Sequence, residues 1–157
     1  RIMVFLDPYK YKLSAGYNII QSQVSIGSGG ITGKGLFMWT QKNLNFIPEK
    51  HTDFIFSVIG EEAGLIGSLL VIFLFLSFFL YSVKVASETK NQFNKLVIIG
   101  LTSIIMFQMF INIGMTISMM PVTGIPLPFI SYGGSSLLIN MIIAAIIMKL
   151  AIHKYDY

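Results

Sequence analysis

The chain has 157 residues, 54% of them hydrophobic and 11% charged, with a net charge of +4 and no cysteine. A mean hydropathy of +0.73 excludes an ordinary soluble domain. Without cysteine there is neither a disulfide framework nor a thiol nucleophile.

The chain opens at Arg1, inside what reads as a loop, and shows no signal-peptide pattern. It is therefore expected to be a fragment of a longer protein, with earlier membrane helices missing. Residues 1–52 form one long polar segment. Within it, Asn18 to Ile26 suits a short amphipathic helix at a membrane interface, and GSGGITGKG (27–35) reads as a glycine-rich turn. Leu36 to Ile47 carries aromatics suited to headgroups, with Trp39 as an anchor. Pro48 ends that element, and Thr52 or Asp53 opens the first membrane helix, expected over about 54–83.

Its centre, Ala63 to Val83, is 21 consecutive uncharged residues. At about 1.5 Å per residue this covers the roughly 30 Å of a bilayer's hydrocarbon core. Two more spans follow, over about 96–120 and 130–148. Between them lies MMPVTGIPLPFISYGGSS, where Pro121, Pro126 and Pro128 with nearby glycines preclude a continuous helix. Irregular backbone is not tolerated against lipid, so residues 121–134 should be re-entrant, buried in protein or lining a wet cavity. The fold class is all-α, with three transmembrane helices after a large loop.

Lysine placement sets the orientation. Residues 84–95 and 149–157 carry five Lys in 21 positions, against six Lys/Arg in 67 for residues 1–53 plus 121–134. Density in short loops is what the positive-inside rule counts, so the short loop and the C-terminal tail are expected in the cytoplasm. Asp53, the long loop and the proline segment then share the opposite side.

Few residues offer chemistry. GSGGITGKG fails as a phosphate loop because Ser28 and Gly35 stand where glycine and a hydroxyl are required. It is a flexible turn, or a backbone nest that brings Lys34 to a phosphate. His51 has no second ligand at metal spacing, so no metal site is expected. Asp53 is placed either to cap the helix or to act as an acid–base group at the membrane surface. Glu61 and Glu62 lie about two turns into the helix, where an ionised group in lipid costs several kcal/mol. Adjacent helical positions point about 100° apart. One of the two should therefore face the interior and pair with a charge on a helix outside this chain.

Three strings carry a resemblance: GYNIIQSQVSIGSGGITGKG (16–35), TQKNLNFIPEKHTDFIFSVIGEEAGLIG (40–67) and NIGMTISMMPVTGIPLPFISYGGSSLL (112–138). In order and spacing they resemble the SEDS family of polytopic proteins (RodA, FtsW, SpoVE), with wording closer to RodA. Departures are local, at YKYKLSAGY and at Trp39, and leave HTDF untouched.

The resemblance implies the last three of ten helices and the large extracytoplasmic loop before them. It implies an inverting peptidoglycan glycosyltransferase that polymerises lipid II during cell-wall elongation. Asp53 would be the essential general base, and Lys34, Lys42 and Lys50 the candidates to receive the pyrophosphate leaving group. Ser131 and Tyr132 would contact substrate. No cofactor is implied with certainty, and a divalent cation would do the work of the lysines in their place. The implied partners are lipid II, membrane lipids and a class B penicillin-binding transpeptidase, with no nucleic acid. The implied location is the bacterial inner membrane. The rival readings are a lipid-precursor flippase gated by the proline segment and a non-catalytic scaffold for the transpeptidase.

Overall fold

The computed structural model describes residues 15–35 and 53–152, and every regular element among them is helical. These are α1 (Ala15–Gly29), α2 (Ile55–Glu88), α3 (Gln92–Thr116) and α4 (Gly134–Ile152). Three of them, α2, α3 and α4, are long and apolar enough to cross a membrane. Trp39, Lys42, Pro48, Lys50, His51 and Thr52 lie outside the described residues.

At the α2–α3 junction both helices run past the boundaries that hydropathy suggests, and the reason is local. Charge at Lys84 and Glu88 ends the apolar stretch, yet it does not interrupt the i→i−4 ladder, so α2 reaches Glu88. The turn to α3 is only Thr89–Asn91. The Thr89 hydroxyl donates to Val85 O (2.8 Å), and Asn91 caps α3 by accepting from the Phe93 amide (2.9 Å). So short a turn makes α2 and α3 antiparallel, which brings Ile55 and Thr116 to the same end of the bundle.

At that end α3 stops at Thr116, short of the expected Met120. Ser118 takes a positive φ of 61°, and the amides of Met119 and Met120 both turn back onto Gly114 O. This is a left-handed helix terminus, built without the usual glycine. α4 starts only at Gly134, after Pro126 and Pro128, which lack amide donors, and Phe129, which sits at φ 63°. The irregular segment is therefore 117–133.

Phe56, Phe75, Val85, Ala86, Ile98, Ile105, Met109, Leu127, Ile143 and Ile147 form the core between α2, α3, α4 and the proline segment. Buried hydroxyls within the spans bond back to their own helix. Ser68 donates to Gly64 O, Ser82 to Phe78 O and Thr102 to Ile98 O. Such bonds keep polar groups satisfied where no water reaches.

α1 is longer than the nine-residue interfacial helix the pattern suggests. It packs on α2, with Ile19, Ser22, Ser25 and Gly29 buried. The Ser22 hydroxyl donates to Thr116 O at 2.9 Å, which ties α1 to the end of α3.

A candidate active site where α2 begins

The glycine-rich turn after α1 docks into a break in α2. Gly64 has φ 64° and ψ −157°, a conformation essentially reserved for glycine. In an unbroken helix the amides of Leu65 and Ile66 would donate to the carbonyls of Glu61 and Glu62. Here those carbonyls accept from Lys34 N (3.0 Å) and Gly35 N (3.1 Å) instead. Leu65 N and Ile66 N donate to Gly30 O (3.0 Å) and Ile31 O (3.3 Å). Two helical hydrogen bonds are exchanged for four between turn and helix, so the break leaves no orphan backbone group among these positions.

The approach is close enough to require glycine on both sides. A β-carbon on Gly29 would collide with the Gly60 carbonyl, and one on Gly33 with the Glu62 carbonyl. The glycines of GSGGITGKG thus serve backbone-to-backbone contact, and the amides of Gly33, Lys34 and Gly35 are already spent on Gly29, Glu61 and Glu62.

Side-chain charge follows the same path. Lys34 Nζ lies 2.8 Å from Glu61 Oε1, and the Glu61 side chain is 1% exposed against 31% for Lys34. Glu61 is therefore the interior-facing acid of the pair, while Glu62 is half-buried. Within the chain Glu61 finds its partner in Lys34, 27 residues upstream. Sequence reading could not find it, because nothing local relates a loop lysine to a helical acid at that separation.

A prediction arises here. Glu61→Gln should lower thermal stability clearly, and Glu62→Gln much less. Lys34→Met should be worse than Glu61→Gln, since it takes the cation away from a carboxylate that stays buried and ionisable. The expected loss is about 2 kcal/mol, short of the roughly 3–5 kcal/mol of fully buried pairs because Lys34 is partly solvated. Melting curves of the three variants in one detergent check the order. Equal stability of the two Gln variants would contradict a buried pair.

Eight residues before Glu61 stands Asp53, in the turn that leads into α2. The helix begins at Ile55 with Phe54 in the N-cap position, and a phenylalanine side chain cannot cap. The helix thus opens two residues after Asp53, and Thr52 lies outside the described residues. Phe54 is fully buried, and its carbonyl accepts from both the amide and the hydroxyl of Ser57. This anchors the turn and leaves Asp53 half-buried beside it.

The carboxylate faces the proline segment. A β-carbon built on Gly124 would lie 3.5 Å from Asp53 Oδ2, and Gly124 itself has φ 78°. The backbones are bridged as well. The side-chain amide of Asn112, on α3, donates to Asp53 O (3.0 Å) and to Ile125 O (2.8 Å). Asn112 was not singled out from the sequence, although an amide within an apolar helix is a signal that a polar partner exists.

Two cavities flank the proline segment. One of about 700 Å³ is lined by Gly124, Ile125 and Pro126 together with Ser103, Gln108 and Asn140. The other, of about 610 Å³, is lined by Ile55, Ser131, Tyr132 and Gly133. Tyr132 is 82% exposed, whereas Ser131 is buried and its hydroxyl accepts from the Leu127 amide at 2.7 Å. Ser131 thus serves the turn, while Tyr132 opens toward the cavity. Among the described residues no group of three or more His, Cys, Asp or Glu is placed to hold a metal.

A carboxylate at a helix start, a broken-helix segment against it and two adjoining cavities meet in one place. Over residues 1–156 the chain matches the FTSW_RODA_SPOVE family model, described as "Cell cycle protein". The chain belongs to this family. A curated relative, peptidoglycan glycosyltransferase MrdB of Escherichia coli (strain K12), is 44% identical over 98% of this chain and 42% of its own length. Peptidoglycan glycosyltransferase RodA of Treponema pallidum (strain Nichols) is 42% identical over 96% of this chain and 35% of its own. The FtsW/RodA/SpoVE member described here also superposes on a solved chain with a TM-score of 0.81 and 27% identity, over 100% of this chain and 42% of that one. That structure is described as "Structural coordination of polymerization and crosslinking by a peptidoglycan synthase complex". This family member thus spans about two fifths of the length of the MrdB relative.

Proposed function

We propose that this chain carries the general base of a lipid II-dependent peptidoglycan glycosyltransferase, with its membrane helices as the last three of ten. The observation that carries the reading is the Asp53 carboxylate set against Gly124 of the proline segment, at the end of the membrane helices and beside two cavities. A membrane-surface acid in that setting reaches the sugar of a lipid-linked substrate while the lipid stays in the bilayer. The names of the relatives supply the reaction class.

In this reading the 4-hydroxyl of an acceptor GlcNAc attacks C1 of a donor MurNAc. The C1–O bond to undecaprenyl pyrophosphate breaks as the new β-1,4 bond forms, which inverts the anomeric carbon. Asp53 takes the hydroxyl proton. The pyrophosphate leaves as an anion and needs no proton, so one carboxylate suffices where glycosidases use two. Lys34, Lys42 and Lys50 are the cations proposed to meet the departing charge. Lys34 would meet that charge while also paired with Glu61 at 2.8 Å. Tyr132 is the exposed side chain best placed to contact substrate, and Ser131 would shape the turn that presents it.

In this reading the large loop and Asp53 lie on the extracytoplasmic side of the bacterial inner membrane and the C-terminus lies in the cytoplasm. A class B penicillin-binding transpeptidase is the proposed protein partner, in keeping with the polymerization-and-crosslinking complex of the structural neighbour. The deciding experiment presents purified full-length protein with lipid II, alone and with its transpeptidase. Glycan strands formed by the wild type support the reading. Translocation of lipid II without polymerisation would favour a flippase, and neither activity a scaffold.

A further inference from the structure

We propose that Asn112 is a positioning residue for this reaction, holding the Asp53 carboxylate at a set distance from the cavity wall; the inference rests on the glycosyltransferase reading above. Asn112 is fully buried near the end of α3, and its single amide nitrogen carries two hydrogens. One goes to the carbonyl of Asp53 and the other to the carbonyl of Ile125. Both acceptors lie outside regular helix, one in the turn before α2 and one in the proline segment.

The bracket spans 59 residues on one side and 13 on the other, so it joins three separate pieces of chain through one atom. Its two acceptors are the backbone of the reacting acid and the backbone next to Gly124, the residue that faces that acid's Oδ2. Ile125 and Gly124 also line the larger cavity. Removing the nitrogen would free the two walls of the site to move relative to each other, although Asp53 itself would be unchanged. A displacement of about 1 Å at a reacting group can cost about 100-fold in rate.

The test uses the full-length protein in nanodiscs with lipid II, normalised to folded protein by size exclusion and melting. Wild type active and Asp53→Asn silent is the precondition, and an inactive wild type defeats the functional reading rather than this one. Asn112→Leu removes both donors, and Asn112→Asp keeps the shape while leaving at most one. The expected result is a kcat lower by about 100-fold for Leu and less for Asp, with KM for lipid II within about 3-fold. The acidic limb of the kcat–pH profile should also move, because the base sits in altered surroundings. A loss of folded molecules would scale that profile without shifting it. Unchanged kcat, a loss confined to KM, a scaled but unshifted profile, or failure of both variants to fold would each overturn the proposal.

Discussion

Asp53→Asn is expected to lower lipid II polymerisation at least about 100-fold, within the 10²–10⁴ range typical of a positioned general base. An amide has nearly the shape of a carboxylate but cannot accept the acceptor sugar's proton. The fold should survive. The contact with Asn112 uses the backbone carbonyl of residue 53, which the substitution keeps, and asparagine caps a helix about as well as aspartate. Gel-resolved glycan strands, read beside a melting curve, separate the two effects. Near wild-type strands from the Asn variant would remove Asp53 from the role of base.

The second large effect should come from a residue that touches no substrate. Gly64→Ala is expected to destabilise the protein by roughly 3 kcal/mol or more, combining a forbidden backbone conformation with steric collision. Gly64 lies at φ 64°, and the added methyl would meet the backbone of Gly33 and Ile31. The docked turn would have to lift away, exposing the four exchanged hydrogen bonds and the Lys34–Glu61 pair. Gly100→Ala is the control. Its β-carbon meets nothing within 4 Å, so substitution there should be neutral or stabilising by up to about 1 kcal/mol. If Gly64→Ala melts with Gly100→Ala, the break in α2 is not held by the turn.

The activity of the Gly64 variant bears on how the site is assembled. Asp53 and Glu61 are eight residues apart on either side of the first turns of α2, so the docked turn braces the segment that carries the acid. Asn112 holds the same acid from the α3 side. The candidate base is thus supported from two sides, by the docked turn and by α3.

Much of this was legible in the chain itself. Three spans of apolar residues long enough for a bilayer are a one-dimensional property, because every backbone group in lipid must be satisfied within its own helix. Pro121, Pro126 and Pro128 similarly announce a broken segment, since a missing amide is a fact of the residue and not of its surroundings. The HTDF and PVTGIPLPFISYGGSS strings pointed to the family, and with it to Asp53. Two adjacent acids in a membrane helix announced that one needed a partner.

Which partner, only the tertiary structure decided. Lys34 and Glu61 are 27 residues apart, Asn112 and Asp53 are 59 apart, and no periodicity links either pair. The glycines of GSGGITGKG are compatible with a phosphate nest or with close packing, and the choice depends on what lies opposite them. Gly60 and Gly64 lie there, and backbone meets backbone. Helix ends were misjudged for a related reason. Hydropathy reports where the lipid stops, whereas a helix stops where its hydrogen-bond ladder is turned aside, at Glu88 by a capped turn and at Thr116 by the fold-back onto Gly114. Sequence determines what each residue requires, and the packed chain determines which distant residue meets that requirement.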